Sequence, residues 1–282
     1  MKVWMDGALV DAGDARVAVD DHGFTVGDGV FETLRSYGGR PFAVDRHLAR
    51  LAASATGLGL ALPSPGVLRD AVAAVVAANG GGDMALRITV TSGPGPMGSA
   101  RGGAGPTAVV TAGPLAVWSR AAVVAVAPWA RNERGALVGV KTTSYAENVV
   151  ALNWARQRGA EEALLVNLAG RLCEGTGSNV FIVVSGSLLT PPLAAGCLAG
   201  VTRAVVLEST GAEEADIGVD DLLAADEAFL TSTTREVQAI GVVDDHRFPA
   251  APGPFTQATA AAFAAAVALS RKLHAGGPRR RR

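Results

Sequence analysis

An Asp6-Gly7 pair between two short apolar runs, Val3-Trp4-Met5 and Ala8-Leu9-Val10, sets how this chain begins to fold. Asp-Gly suits the tight primed turn that joins two antiparallel strands, so the spacing predicts an N-terminal β-hairpin. Residues 30–37 alternate in the same way, stop at Gly38-Gly39 and resume with Arg40-Pro-Phe-Ala-Val, which predicts a second hairpin. Asp45 is placed to cap a helix that runs through Arg50 toward Ala55. Ser64-Pro65 opens another helix, over 67–78, with Ser as the cap and Pro at the first position. Asn79 and three glycines end it, and 84–91 and 107–111 read as strands. This half is therefore an antiparallel-style sheet with two helices, an α+β pattern.

Gly113-Pro114 then marks a crossing into a second region. There 121–126 reads as a strand, 144–158 as a helix, and 162–168, 179–184 and 187–190 as further strands. A helix starts at Thr202 after Gly200, short strands follow at 227–230 and 237–243, and Thr256 is placed to cap a last Ala-rich helix. At 282 residues, nearly half of them apolar, the chain has material for one large or two medium domains. The expected division is 1–113, a linker at 114–120, a larger domain at 121–275 and a disordered basic tail at 276–282.

Several function classes drop out. A formal net charge of −1 gives no general pull toward nucleic acid or a membrane surface. The basic run Arg279 to Arg282 reads as a solvated terminus. The Ala/Val-rich stretch 67–78 carries Arg69 and Asp70 and is too short to span a bilayer. Cys173 and Cys197 do not make a disulfide framework, and with no signal-peptide core at the N-terminus a reduced, cytoplasmic protein is expected. His22, His47, His246 and His274 are dispersed and give no metal-ligand spacing. Gly93-Pro-Gly95-Pro-Met-Gly98 matches a dinucleotide-binding pattern letter by letter, but its prolines and the following Ser-Ala-Arg-Gly-Gly do not open a helix. It reads as a loop.

Lys141, in Val-Gly-Val-Lys141-Thr-Thr-Ser-Tyr145, and Glu174, in Leu-Cys-Glu174-Gly-Thr-Gly-Ser-Asn, flank an apolar run at 163–168. A lysine in such a place can form a Schiff base, and a carboxylate on a neighbouring strand can keep a pyridine nitrogen protonated. Together they are the minimum equipment for pyridoxal 5'-phosphate (PLP) chemistry. A phosphate needs backbone amides and a cation. Gly200-Val201-Thr202 stands just before a helix, where the dipole favours an anion, and Ser232 and Thr233 offer hydroxyls and amides from a second turn.

Six ordered blocks place the pair in context: Gly27-Asp28-Gly29-Val-Phe31-Glu32-Thr33, Arg46-His47-Leu-Ala-Arg50-Leu, the Lys141 and Glu174 blocks, Gly200-Val201-Thr202-Arg203, and Thr231-Ser232-Thr233-Thr234-Arg235. In these blocks, over roughly residues 3–243, the chain resembles the fold-type IV (class IV) aminotransferases. The resemblance implies a two-domain PLP fold, with a small N-terminal α/β domain and a larger C-terminal domain built on a barrel-like sheet. It implies Lys141 as the catalytic Schiff-base lysine, Glu174 on the ring nitrogen, and Arg50 on the phosphate with Val201, Thr202, Ser232 and Thr233. Tyr145 is placed near the ring hydroxyl. Phe31, Thr33 and Arg35 share one strand face, which in the family borders the substrate pocket, with Thr234 nearby; Arg35 is then the candidate for a substrate carboxylate. The family completes its pocket with a neighbouring chain, so a homodimer is expected.

Three branches of the family share these features. Branched-chain aminotransferases usually carry glycine or alanine where this chain has Thr33. D-amino-acid aminotransferases share the Thr-Ser-Thr-Thr turn, but this chain has Phe31 at their tyrosine and Gly95-Pro96-Met97-Gly98-Ser99 in their Arg-x-His loop. Arg101 is a further candidate cation there. Aminodeoxychorismate lyases share every cofactor residue. The expected function is an aminotransferase that takes a D-amino acid or (R)-amine as donor and a 2-oxo acid as acceptor. The lyase and the branched-chain enzyme are the alternatives.

Overall fold

The computed structural model describes residues 1–275, so the Arg279 to Arg282 run lies outside the described residues. The chain divides into two compact units: Met1–Ala116 together with Val140–Tyr145, and Val117–Gly139 together with the chain from Ala146 onward. The crossing expected at 114–120 is thus followed by a return, because residues 140–145 pack with the first unit.

The first unit is a six-stranded sheet in the order Ala8–Asp11, Lys2–Met5, Thr107–Gly113, Met84–Thr91, Gly29–Tyr37, Arg40–Pro41. Every pairing in it is antiparallel. Asp6 and Gly7 both take positive φ, 46° and 103°, as a two-residue primed turn demands. Helices Val44–Leu58 and Pro65–Ala78 share a core with the sheet built on Leu34, Leu51, Leu68, Val75, Ile88 and Val110. Ser64 caps the second helix by accepting from the Val67 amide, as its sequence predicts. Asp45 does not cap the first: the helix starts two residues earlier, its N-cap is Ala43 at φ 51°, and Asp45 sits in the first turn. There it pairs with Arg69 at 2.5 Å, and its negative charge lies in the first turn, where the helix dipole is positive.

The second unit is a mixed, curled sheet. Its order is Glu213–Glu214, Ser187–Thr190, Asn179–Val184, Glu227–Ser232, Glu236–Val243, Ala121–Val126, Glu162–Val166, Leu172–Gly175, with His246–Arg247 paired to Glu236–Val243. Ala121–Val126 runs parallel to both neighbours, and the central pairs beyond it are antiparallel. One core cluster gathers Leu164, Leu172, Ile182, Leu230 and Ile240 with Ile217 and Leu222. A second lies under helix Ala146–Arg156, where Ala151 and Ala155 meet Ala125, Ala163 and Leu165. That helix is shorter than expected, because residues 144–145 extend the Lys141 segment instead. The last helix, Pro254–Ala275, is capped from outside: Glu227 accepts from the Phe255 and Thr256 amides and from the Thr256 hydroxyl. Among the described residues no helix is long and apolar enough to cross a membrane.

Candidate active site

Lys141 is held against the start of strand Gly29–Tyr37. The Phe31 amide donates to the Lys141 carbonyl at 2.9 Å, the Thr143 amide donates to Gly29 O at 2.8 Å, and Thr142 bridges to Val30. From the helix side, Ser54 Oγ accepts from the Lys141 amide at 3.0 Å. Residues 141–143 therefore act as a short extra strand, and the lysine backbone is fixed at three consecutive residues. Two glycines make room. A Cβ on Gly29 would stand 2.9 Å from both Val90 O and Thr143 Oγ1, and one on Gly27 would stand 2.7 Å from Ser144 Oγ. Gly27 also takes φ 70°, which favours glycine.

The Lys141 side chain reaches over Phe31, with Nζ 4.4 Å from the ring centroid. Tyr145 meets the same ring edge-on at 5.4 Å. Phe31, Thr33 and Arg35 do share a face, as their alternation predicts, while Val30, Glu32, Leu34 and Ser36 point the other way and are fully buried. Arg35 lies at the hairpin end, 3.7 Å from Asp83 and over the Tyr37 ring. A different cation lies over the Phe31 ring. Arg87 is in register with Thr33, lies 3.8 Å over the Phe31 ring and donates through Nε to Thr89 Oγ1 at 3.0 Å. Sequence reasoning missed Arg87, although a lone charge in the run Met84–Thr91 was its signal.

Arg50 grips a carboxylate. Its Nε and Nη2 both donate to Glu32 at 2.7 Å, and His47 Nδ1 meets Glu32 Oε2 at 2.7 Å. Burial alone would push the Glu32 carboxyl up; the Arg50 and His47 hydrogen bonds outweigh it and hold it down at about 2. His47 is pushed below its ordinary value by burial, which prevails over the pull of Glu32. Glu32 thus fixes the rotamer of Arg50, a role its position on the buried face explains.

The second unit carries the remaining groups. Glu174, largely enclosed on strand Leu172–Gly175, accepts from the Leu198 amide at 2.9 Å and lies 3.7 Å from Arg131 Nη2. Helix Val201–Thr210 begins at Gly200 with no side-chain cap, and a Cβ on Gly200 would stand 1.9 Å from Asn179 Oδ1. Val201 and Thr202 occupy its first turn. Ser232, Thr233 and Thr234 sit at the turn between Glu227–Ser232 and Glu236–Val243. The Ser232 hydroxyl accepts from the Arg235 amide at 3.2 Å, and Trp118 Nε1 donates to Thr234 O at 3.1 Å.

Taken unit by unit, these donors fit PLP: the first unit offers a rigidly based primary amine, and the second an enclosed carboxylate and a helix whose first amides no side chain caps. No group of three metal-binding side chains occurs among the described residues. The glycine-rich stretch at 93–103 is a loop, as expected. Arg101 ties it back, donating through Nε and Nη2 to Asp28 at 2.7 and 2.6 Å and to Leu58 O at 2.8 Å, with a further bond to Gly59 O. Cys173 and Cys197 are free and buried, and burial raises both thiols, that of Cys197 to about 11.

Comparison with known proteins completes the picture. A family model described as amino-transferase class IV matches residues 29–243. A D-alanine aminotransferase of Bacillus licheniformis is 35% identical over 269 residues, covering 91% of this chain and 94% of its own. A branched-chain-amino-acid aminotransferase of Pseudomonas aeruginosa is 30% identical, covering 97% and 95%. Among solved structures, a branched-chain aminotransferase from Thermoproteus uzoniensis with norvaline superposes with a TM-score of 0.90 at 33% identity, covering 97% of each chain.

Proposed function

The chain belongs to the class IV aminotransferases, which use PLP to move an amino group between a donor and a keto acid, and we propose that its donor is a D-amino acid and its acceptor a 2-oxo acid. The observation that carries a carboxylate-bearing substrate is Arg87, a cation over the same Phe31 ring that Lys141 reaches. A guanidinium there suits a carboxylate bidentately. It replaces Arg35 as our choice, since Arg35 lies toward Asp83, and it replaces Arg101, which Asp28 holds. The D-alanine aminotransferase relative supports the donor class.

In this reading Lys141 Nζ holds the cofactor and moves the proton at the substrate's Cα. When bound, the cofactor supplies an electron sink. Glu174 keeps the ring nitrogen protonated, and Arg50, with the amides and hydroxyls of Val201, Thr202, Ser232 and Thr233, holds the phosphate. Tyr145 borders the ring, while Phe31, Thr33 and Thr234 line the substrate side. A branched-chain L-amino acid donor is the second reading, favoured by the 0.90 TM-score to a branched-chain enzyme. Separate exposure of the holoenzyme to D-alanine, L-leucine, (R)-1-phenylethylamine and aminodeoxychorismate tests the set. Amino transfer from D-alanine supports our reading, and transfer from L-leucine alone replaces it with the second. Release of pyruvate and p-aminobenzoate from the last compound makes the protein a lyase.

We further propose a homodimer. Val17, Val19, Phe24, Val26 and Met97 are large apolar side chains left exposed in the first unit. Their two segments are tied together by the Gly95 amide on Asp20 O and by His22 Nε2 on Pro96 O, so they form a supported surface.

A further inference from the structure

A buried ion pair in the second unit has no place in the roles assigned so far. Glu162 opens strand Glu162–Val166 and is 2% exposed; Arg235 closes the turn at residues 232–235 and is 9% exposed. Arg235 Nη2 donates to Glu162 Oε2 at 3.2 Å. The rest of Glu162 is spent on the turn that follows Glu174. Its Oε1 accepts from the Thr176 amide at 3.0 Å, from the Thr176 hydroxyl and from the Ala163 amide at 3.1 Å, and its Oε2 accepts from Ser178 Oγ at 3.2 Å. The rest of the Arg235 side chain goes to residues that flank the other turn. Its Nη1 donates to Gln238 Oε1 at 2.5 Å, its guanidinium lies 3.7 Å over Trp118, and Trp118 in turn holds the Thr234 carbonyl.

The two turns are neighbours by register. Asn179 pairs with Thr231, so residues 175–178 and 232–235 lie at the same end of two adjacent strands. A backbone pairing alone leaves both turns free to shift at that end. One charged pair with a full set of hydrogen bonds, five on Glu162, couples them. An ion pair in the interior is a weak source of stability, because desolvation offsets its attraction. What it does well is fix one geometry.

We propose that the Glu162–Arg235 pair is a positioning device that sets the Ser232 and Thr233 turn against the Glu174 strand, and so sets phosphate affinity. This rests on the reading that Ser232 and Thr233 hold the cofactor's phosphate. In that reading neither Glu162 nor Arg235 is a cofactor ligand. Their effect runs through Thr176 and Ser178 on one side and, by way of Trp118, through the Thr234 carbonyl on the other.

The test is a titration of full-length apoprotein with PLP and, separately, with pyridoxal, which lacks the phosphate. The variants are Glu162→Gln, Arg235→Met, the double substitution and Arg235→Lys, each with its thermal midpoint. Either single neutral variant leaves a buried charge alone and can fail to fold; the double variant removes both charges and then decides. The double variant is expected to lose about tenfold or more in PLP affinity, the size of one charge-assisted hydrogen bond, with pyridoxal affinity changed less than about threefold. Arg235→Lys is expected to recover part of the loss. Wild-type PLP affinity in the double variant overturns the proposal, as does an equal loss for PLP and pyridoxal, which marks general loosening. Ser232→Ala separates the two layers. If it leaves PLP affinity intact, the phosphate reading itself falls; if it weakens PLP and the double variant does not, only the positioning proposal falls.

Discussion

At Phe31, a lysine ammonium and an arginine guanidinium share one ring, and the chemistry assigned to this chain depends on telling them apart. Lys141→Ala is expected to abolish turnover and the near-visible absorbance of the bound cofactor; retained turnover removes Lys141 from its role. Arg87→Ala is expected to raise the Michaelis constant for 2-oxo acids by about tenfold to a hundredfold, the worth of a hydrogen bond to a charged group. Arg35→Ala, by contrast, is expected to leave it within about threefold; the opposite ranking returns the carboxylate to Arg35. Lys141 stood out as a candidate because its block has a recognisable order. Arg87 did not, because a strand's register is not written in its own residues: only the pairing of Thr33 with Arg87 brings that charge over the Phe31 ring.

The element that organises the first unit is strand Gly29–Tyr37, which buries a carboxylate on one face and presents Phe31 and Thr33 on the other. Glu32→Gln removes the anion between Arg50 and His47 and is expected to cost about 3–5 kcal/mol, the usual penalty for breaking a buried charge network. The pH dependence has a definite sign. The Glu32 carboxyl falls from 4.5 to about 2 on folding, so its contribution is complete above about 4.5 and is lost as pH drops through about 2. Urea midpoints measured down that range should fall for the wild type and stay flatter for Glu32→Gln; parallel curves would exclude Glu32 as the source. Gly29→Ala places a Cβ against Val90 O and Thr143 Oγ1 and is expected to destabilise by about 1–3 kcal/mol, read by the same denaturation. Periodicity showed which strand faces would be buried, and Ser64-Pro65 showed a helix start. Asp45 misled because a good capping residue was outranked by Ala43 in the left-handed region, a backbone choice that no side chain announces.

At the scale of the molecule, a chain cut near residue 114 returns at residues 140–145 to lay Lys141 on the first unit. The antiparallel sheet of the first unit, its two long helices and the class of enzyme were readable, since each follows from local patterning or from ordered blocks; the short helix His22–Thr25 and the mixed pairing of the second sheet were not. The return was not, because a six-residue segment bridging to Val30 carries no periodic signal of its own. The exposed Val17, Val19, Phe24, Val26 and Met97 predict association: light scattering on the eluting protein should give twice the monomer mass, and Phe24→Asp should shift it toward the monomer. A stable, fully active monomer would exclude the dimer. The most direct experiment is to mix the purified holoenzyme with D-alanine in the absence of acceptor, and to follow the cofactor's absorbance together with the pyruvate formed. Our reading expects one equivalent of pyruvate per site and a complete change of the cofactor band, both absent in Lys141→Ala. An unchanged band with D-alanine, alongside a full response to L-leucine, would contradict it.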